Sequence, residues 1–125
     1  MLKVHILTDN TVRKRGLLAE HGLSIWIEKD DRAILFDTGQ SSVYCHNAKT
    51  MGISLESADY IVLSHGHYDH CGGLCHFPYK EKIPAVYAHP DAFLKKFAST
   101  GKDEPSRGVG IPFEISSQDW IKDRI

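Results

Sequence analysis

The sequence predicts a mixed α/β fold, and three patterns along its 125 residues lead to this prediction. The start of the chain alternates between apolar and polar side chains, as half-buried strands do. A segment toward the end of the first half repeats apolar side chains at helical spacing. Two short runs further along are almost entirely apolar, as in strands that are covered on both faces. Strands interleaved with helices in this way are typical of an α/β domain.

Three strands are predicted in the first 40 residues. The opening strand is the stretch "LKVHILTD", in which Leu2, Val4 and Ile6 alternate with polar residues. After a loop rich in charge and glycine, a hairpin is predicted with strands Leu23–Glu28 and Ala33–Asp37. Two aspartates at positions 30 and 31 form its turn, since aspartate favours turn conformations.

A helix is predicted over residues 41–51, after the hairpin. Tyr44, Ala48 and Met51 recur at i, i+4 and i+7, which places them on one helical face. A serine at position 41 or 42 can cap its first turn, and Gly52 can end it.

The second half is predicted to contribute two buried strands and a further helix. The runs "ADYIVLSH" and "IPAVYAH" are the strands. The stretch "PDAFLKKFAST" is predicted to be a helix, because Pro90 and Asp91 suit a first turn and Phe93 and Phe97 share a face. One more strand is predicted within residues 114–125.

Composition narrows the classes of function. Hydrophobic residues make up 42% and charged residues 25% of the chain, which is ordinary for one soluble globular domain, assigned to residues 1–125. The net charge of −1 gives no indication of nucleic acid or an anionic membrane as partner. No apolar run approaches the ~20 residues of a membrane span. The opening "MLKVHILTDN" turns polar too early for a secretory signal, so we expect a cytoplasmic protein with reduced cysteines.

The stretch "LSHGHYDHCGG" carries the strongest chemical signal. It places His65, His67, Asp69 and His70 within six positions, directly after a predicted strand. Residues two apart at a strand end project to the same side, so His65 and His67 can converge on one ion. Asp69 and His70 follow where the chain should turn into a short helix, and they can reach a second ion nearby. Imidazole and carboxylate ligands suit zinc, manganese or iron, so the sequence predicts one or two divalent metals, with zinc favoured.

This motif resembles the HxHxDH signature of the metallo-β-lactamase superfamily. The segment "ILFDTG" is similar to that family's second marker, an aspartate that ends a hairpin strand beneath the metals. The stretches "LTDN", "LLAEHGLSIWIE" and "ILFDTGQS" look most like the branch of dihydropterin-ribofuranosylaminobenzene phosphate synthase-like proteins, which is associated with pterin metabolism.

The resemblance implies a role for each motif residue. His65 and His67 would bind the first metal, and Asp69 and His70 the second. Asp69 would also handle a proton as a catalytic group. Asp37 would accept a hydrogen bond that orients a ligand histidine or the loop. The alternative interpretation of Asp37 is that it closes a turn before Gly39.

The resemblance also implies an incomplete fold and site. The family fold is an αβ/βα sandwich of two similar halves, and this chain matches its N-terminal half, a mixed sheet with helices on one face. The remaining metal ligands would come from the second half. The other histidines (5, 21, 46, 76 and 89) are interpreted as surface or packing residues. An uncovered apolar sheet face would then require self-association, a separately encoded C-terminal half or the missing C-terminal half of the same protein.

Three functional hypotheses follow. The first is a metal-dependent hydrolase that uses a metal-activated hydroxide on an ester or phosphoester bond in a small, possibly pterin-related molecule. Its enzymatic activity depends on completion by a second half. The second is a catalytically silent metal-binding or interaction module. The third is a redox or oxygen-handling diiron protein. Substrate-binding residues are not identified, although the glycine-rich "SRGVGIPF" containing Arg107 is a candidate lining for the pocket.

Overall fold

The computed structural model describes residues 1–99, 101–103, 105–114 and 118–122. Its main element is a five-stranded mixed sheet in the order β1-β2-β3-β4-β5. The first three strands are antiparallel neighbours, whereas β3, β4 and β5 run parallel. The predicted mixed α/β architecture is therefore confirmed. The strands are β1 (Leu2–Thr8), β2 (Ser24–Lys29), β3 (Arg32–Phe36), β4 (Tyr60–Val62) and β5 (Ala85–Tyr87).

The predicted hairpin is confirmed to within one residue at each end. Strands β2 and β3 pair in register from Ile25 opposite Phe36 to Lys29 opposite Arg32. The turn between them places Asp30 at a φ of 55°. This left-handed conformation suits a short polar side chain such as aspartate.

The predicted helix is also confirmed, as α1 (Val43–Thr50). Tyr44 and Ala48 on its inner face are buried against the sheet, and Gly52 follows at a φ of 73°. The Ser41 hydroxyl accepts a 3.3 Å hydrogen bond from the backbone N–H of Val43 at the start of the helix. Helix α1 forms the crossover between the parallel strands β3 and β4, which a hairpin turn cannot join.

The two faces of the sheet differ in their environment. The face that packs beneath α1, here called the covered face, carries Trp26, Leu35, Ile61 and Val86, all at most 3% exposed. The opposite face, here called the open face, presents apolar side chains from every strand, several of them more than 45% exposed. The two apolar runs were predicted to be covered on both faces; in this chain they are buried on the covered face, whereas on the open face Tyr60 and Val62 are half-buried and Tyr87 is 57% exposed. The members of the open face are Leu2, Val4, Ile6, Ile25, Ile27, Ile34, Phe36, Tyr60, Val62 and Tyr87.

The helix predicted over residues 90–100 is not formed. A single 3-10 turn, Pro90–Phe93, is followed by a short strand β6 (Phe97–Ala98), which pairs with β7 (Arg107–Gly108). The Lys96 ammonium group donates hydrogen bonds of 2.7–3.1 Å to the backbone carbonyls of residues 91, 92 and 94. These carbonyls are therefore satisfied by a side chain, and the turn ends without continuing as a helix.

The last described element is the short helix α3 (Asp119–Lys122). Trp120 within it packs against Phe77 and Tyr79, with ring centroids 5.6 and 5.3 Å apart. The additional strand predicted within residues 114–125 lies largely outside the described residues. Among the residues that are described, no helix has both the length and the apolar character needed to cross a membrane.

Candidate metal centre

The histidine motif begins at the carboxyl end of β4, where it is next to the end of β3. The Asp37 amide donates to the Val62 carbonyl at 2.9 Å, which extends the β3–β4 pairing up to the motif. The chain then turns into a four-residue helix α2 (Tyr68–Cys71), as the sequence predicted. Because carboxyl ends of parallel strands meet at one sheet edge, Asp37 and the motif are brought together.

Three motif histidines lie against one another. The ring centroids of His65 and His67 are 4.7 Å apart, and those of His65 and His70 are 4.2 Å apart. The pKa of His65 is lowered by burial, followed by the neighbouring rings of His70 and His67. Neutral imidazoles are the form that binds metal, so this crowding favours ligation.

The carboxylate of Asp37 is fully buried and accepts three hydrogen bonds from the motif. The backbone N–H of Ser64 donates to it at 2.8 Å, and the Ser64 hydroxyl donates at 2.6 Å. The third donor is Nδ1 of His70 at 2.7 Å. These contacts put Asp37 where it can orient the ring of His70, and its φ of 56° also fits the alternative interpretation of Asp37 as a turn residue before Gly39.

These contacts determine which ring nitrogen each histidine has free. In its neutral form, His70 donates through Nδ1 and has the lone pair of Nε2 free, 3.6 Å from Oδ2 of Asp69. The Ser64 hydroxyl gives its single proton to Asp37, so its 2.8 Å contact with Nδ1 of His65 requires that His65 donate. His65 therefore also keeps an unprotonated Nε2. Histidine ligands of metals are held in this way by a partner on the opposite ring nitrogen.

Among the described residues, no three His, Cys, Asp or Glu side chains are arranged as a closed metal-binding group. The donor set nevertheless fits a divalent metal in kind, with free imidazole nitrogens on His65 and His70 and the carboxylate of Asp69 beside them. The side chains are near one another, and a side-chain movement, for which the exposed His67 has the most freedom, is needed to bring three donors onto one ion.

Of the five histidines outside the motif, His21 contacts a motif residue. His21 places Nε2 at 3.1 Å from Oδ2 of Asp69, although 61% of its side chain is exposed. Sequence spacing gave no indication of this contact, because His21 belongs to the loop between β1 and β2. His89 instead caps the 3-10 turn at Asp91.

The cysteines do not enter the site. All three are free thiols, and Cys71 is buried at the end of α2, where its Sγ donates to the His67 carbonyl. Burial raises the pKa of Cys71 to about 12, so it is a protonated thiol at neutral pH.

A half-open cavity of about 530 Å³ lies beside the motif helix. Tyr68 forms part of its wall, and the backbone N–H of Tyr68 donates to the Val109 carbonyl at 2.9 Å, which docks the β6–β7 ribbon on the motif. Arg107, from the loop predicted to line a pocket, forms part of the wall of this cavity. The other lining residues are Gln40, Lys95, Lys96, Phe97, Gly108, Gly110, Ile111 and Pro112.

Comparison with known proteins identifies the class. The family model of the metallo-beta-lactamase superfamily matches residues 18–124. A solved structure described as a metal-dependent hydrolase of the beta-lactamase superfamily superposes with a TM-score of 0.67 at 34% identity, covering 89% of this chain and 37% of that one. The chain therefore belongs to the metallo-β-lactamase superfamily, and the predicted family and fold are confirmed.

Two curated relatives come from Methanocaldococcus jannaschii. An uncharacterized protein is 44% identical over 113 residues, which are 90% of this chain and 41% of the relative. The 7,8-dihydropterin-6-methyl-4-(beta-D-ribofuranosyl)-aminobenzene-5'-phosphate synthase is 39% identical over 88 residues, which are 65% of this chain and 30% of the synthase. The predicted resemblance to that branch is confirmed. The chain spans less than half the length of the relatives it matches.

Proposed function

We propose that this chain carries the motif-bearing part of a metal-dependent hydrolase that acts on an ester or phosphoester bond in a small molecule. The observation that carries the proposal is the anchoring of His65 and His70 through Ser64 and Asp37, which leaves their Nε2 atoms free beside Asp69. His65, His67, Asp69 and His70 would hold one or two divalent ions, with zinc favoured over iron or manganese. A bound metal of this kind supplies Lewis-acid polarisation and activates water.

The chain's own residues contribute orientation and proton handling. Asp37 fixes the ring of His70, and Ser64 fixes the ring of His65. Asp69, whose side chain is only 15% exposed, is the group placed to take up or release a proton beside the ligands.

The first test is a zinc titration of metal-free protein, with metal content and mass in solution measured on the same sample. We expect about one zinc per chain in the isolated form, and loss of that binding in the His65→Ala/His67→Ala double variant. The control is the His5→Ala/His76→Ala double variant, which removes two histidines outside the motif. Equal losses in both variants would show that surface histidines bind the metal, and would contradict the proposal.

The cavity beside Tyr68 supports an anionic substrate with a flat apolar part. Phe97 and Ile111 supply apolar surface, and Arg107 and Lys95 are exposed cations that take part in none of the ion pairs found among the described residues. Arginine recognises phosphate and carboxylate groups through paired N–H donors. The size of the cavity suits a small molecule. The relative whose name describes a dihydropterin joined to a ribofuranosyl-aminobenzene 5'-phosphate is in line with this chemistry.

This part of the proposal is tested with phenyl phosphate as probe on metal-free protein. We expect Arg107→Gln to weaken binding about ten-fold, since a charge-assisted hydrogen bond is lost. Lys102→Gln, an exposed cation in the β6–β7 turn that is not part of the cavity lining, should bind as the parent does. Calorimetric titration measures both affinities, and phenol serves as the neutral comparison. Equal binding of phenol and phenyl phosphate would overturn the anionic assignment.

We also propose that further polypeptide covers the open face. The relatives are more than twice as long as the region they share with this chain. A face of this apolar character is normally buried against another layer. We favour a second sheet on the open face, formed by a segment equivalent to the part of the relatives that this chain does not match. If the solution mass shows a soluble monomer, the open face does not need a covering segment, which contradicts this proposal. If it shows a dimer, a second copy of the chain covers the open face instead.

A catalytically silent metal-binding or interaction module is the second candidate. The observation that favours it is that the described residues bring no three metal ligands together, so that the centre they form is incomplete for catalysis even where it holds a metal through fewer ligands. Hydrolysis of an aryl phosphate, measured on the zinc-titrated sample, distinguishes the two functions. A silent module binds zinc without accelerating this hydrolysis.

A further inference from the structure

We propose that His21 is a positioning residue that holds the carboxylate of Asp69 for metal binding. This inference rests on the proposed metal function, although its first step concerns the metal-free protein alone. It assigns a role to a residue that neither the motif nor its spacing identifies.

The backbone around His21 is seated directly on the motif helix. The Leu23 amide donates to the Asp69 carbonyl at 3.2 Å. Gly22 lies so close to the same carbonyl that a Cβ at this position would clash with its oxygen. The carbonyl of His21 itself accepts a 2.8 Å hydrogen bond from the side-chain amide of Gln40. The imidazole therefore leaves the backbone at a fixed place beside Asp69.

A second contact fixes which nitrogen of His21 carries the proton. The Asn10 carbonyl oxygen Oδ1 accepts a 3.1 Å hydrogen bond from the Gly22 amide, which orients the Asn10 side chain. Its Nδ2 group then faces Nδ1 of His21 at 3.2 Å and donates to it. Nδ1 is thus the acceptor, and the proton is on Nε2.

The protonated Nε2 of His21 points at Asp69. It donates to Oδ2 at 3.1 Å, on the side of the carboxylate that also faces Nε2 of His70. With Oδ2 engaged, Asp69 is restricted in rotation and has Oδ1 left for an ion. Partners of this kind around a metal site typically change metal affinity 10–100-fold when removed.

Because the His21 side chain is largely exposed, its effect on zinc affinity can be distinguished from an effect on folding stability. A pair whose histidine is 61% exposed contributes little to folding stability. We therefore expect His21→Ala to lower zinc affinity roughly ten-fold or more, with the urea unfolding midpoint of the metal-free protein unchanged. His21→Gln retains an N–H donor near the position of Nε2 and should recover most of the affinity. His76→Ala, which removes an exposed histidine away from Asp69, is the matched control.

The decisive experiment combines this zinc competition series with ¹⁵N NMR of the His21 ring in metal-free protein. The expected spectrum shows Nε2–H in the parent, and a loss of this tautomer preference in Asn10→Ala and Asp69→Ala. Failure of the parent to bind zinc would overturn the proposed function, and the NMR result would still decide the His21–Asp69 contact. An Nδ1–H tautomer in the parent, or equal zinc affinities for His21→Ala and His76→Ala, would overturn the role of His21.

Discussion

Replacement of Asp37 by alanine is expected to lower the free energy of unfolding by about 3 kcal/mol and to weaken zinc binding at least ten-fold. The variant removes a fully buried carboxylate that accepts bonds from the Ser64 amide, the Ser64 hydroxyl and His70. The Ser64 N–H and the ring of His70 would then lack their partner, and unpaired donors are costly where, as at these part-buried contacts, water reaches them only in part. Urea denaturation and competition with a chromophoric zinc chelator measure the two effects.

A matched control separates the carboxylate contacts from backbone strain. Asp37 and Asp30 are the two non-glycine residues with positive φ among the described residues, at 56° and 55°. Asp30→Ala therefore imposes the same strain on an exposed turn without removing a buried carboxylate. Asp37→Asn, which keeps one acceptor and tolerates the left-handed conformation, should lie between the two alanine variants. If Asp37→Ala and Asp30→Ala lose equal stability, the buried carboxylate does not organise the motif.

Gly66→Ala is expected to be the most damaging change within the motif that leaves every proposed ligand in place. A Cβ at this position would overlap the carbonyl oxygen of Ala92 and lie 2.6 Å from its carbonyl carbon. Both atoms belong to backbone, so the loop itself must move. We expect a loss of about 3 kcal/mol in unfolding free energy, at the upper range for overpacking. Because His65 and His67 flank Gly66, zinc affinity should fall as well.

The control for this substitution is Gly108→Ala in β7, where an added Cβ meets no atom within 4 Å. Thermal unfolding followed by circular dichroism compares the two variants directly. A Gly66→Ala protein that unfolds at the temperature of Gly108→Ala, and binds zinc equally, would show that the 90–93 segment does not constrain the motif loop.

The elements predicted well are those whose pattern depends on local contacts. The hairpin was located by its turn aspartates and alternation, and α1 by the spacing of Tyr44 and Ala48. The candidate site was located because its main residues are close together in sequence. Asp37 could be added because the segment "ILFDTG" resembles the second marker of the metallo-β-lactamase superfamily.

The elements that were missed depend on contacts between distant segments. The predicted helix at residues 90–100 does not form, because the Lys96 ammonium group donates hydrogen bonds to the carbonyls of residues 91, 92 and 94. The contact of His21 with Asp69 requires that the loop after β1 fold back, where Asn47 holds Leu18 by hydrogen bonds of 2.9 and 2.8 Å. An apolar run also cannot reveal which of its faces finds a partner, which is why the open face was not distinguished from the covered one.

The open face has a consequence for which substitutions the sheet tolerates. On the covered face, a smaller side chain in place of Trp26 or Leu35 leaves a cavity, so chemistry and volume are both restricted there. On the open face, Val4 and Tyr87 contribute exposed apolar area and few buried contacts, so polar residues at these positions cost this chain little. If further polypeptide covers this face as proposed, its apolar residues serve that contact, and the alternating residues of one strand are then subject to two separate constraints.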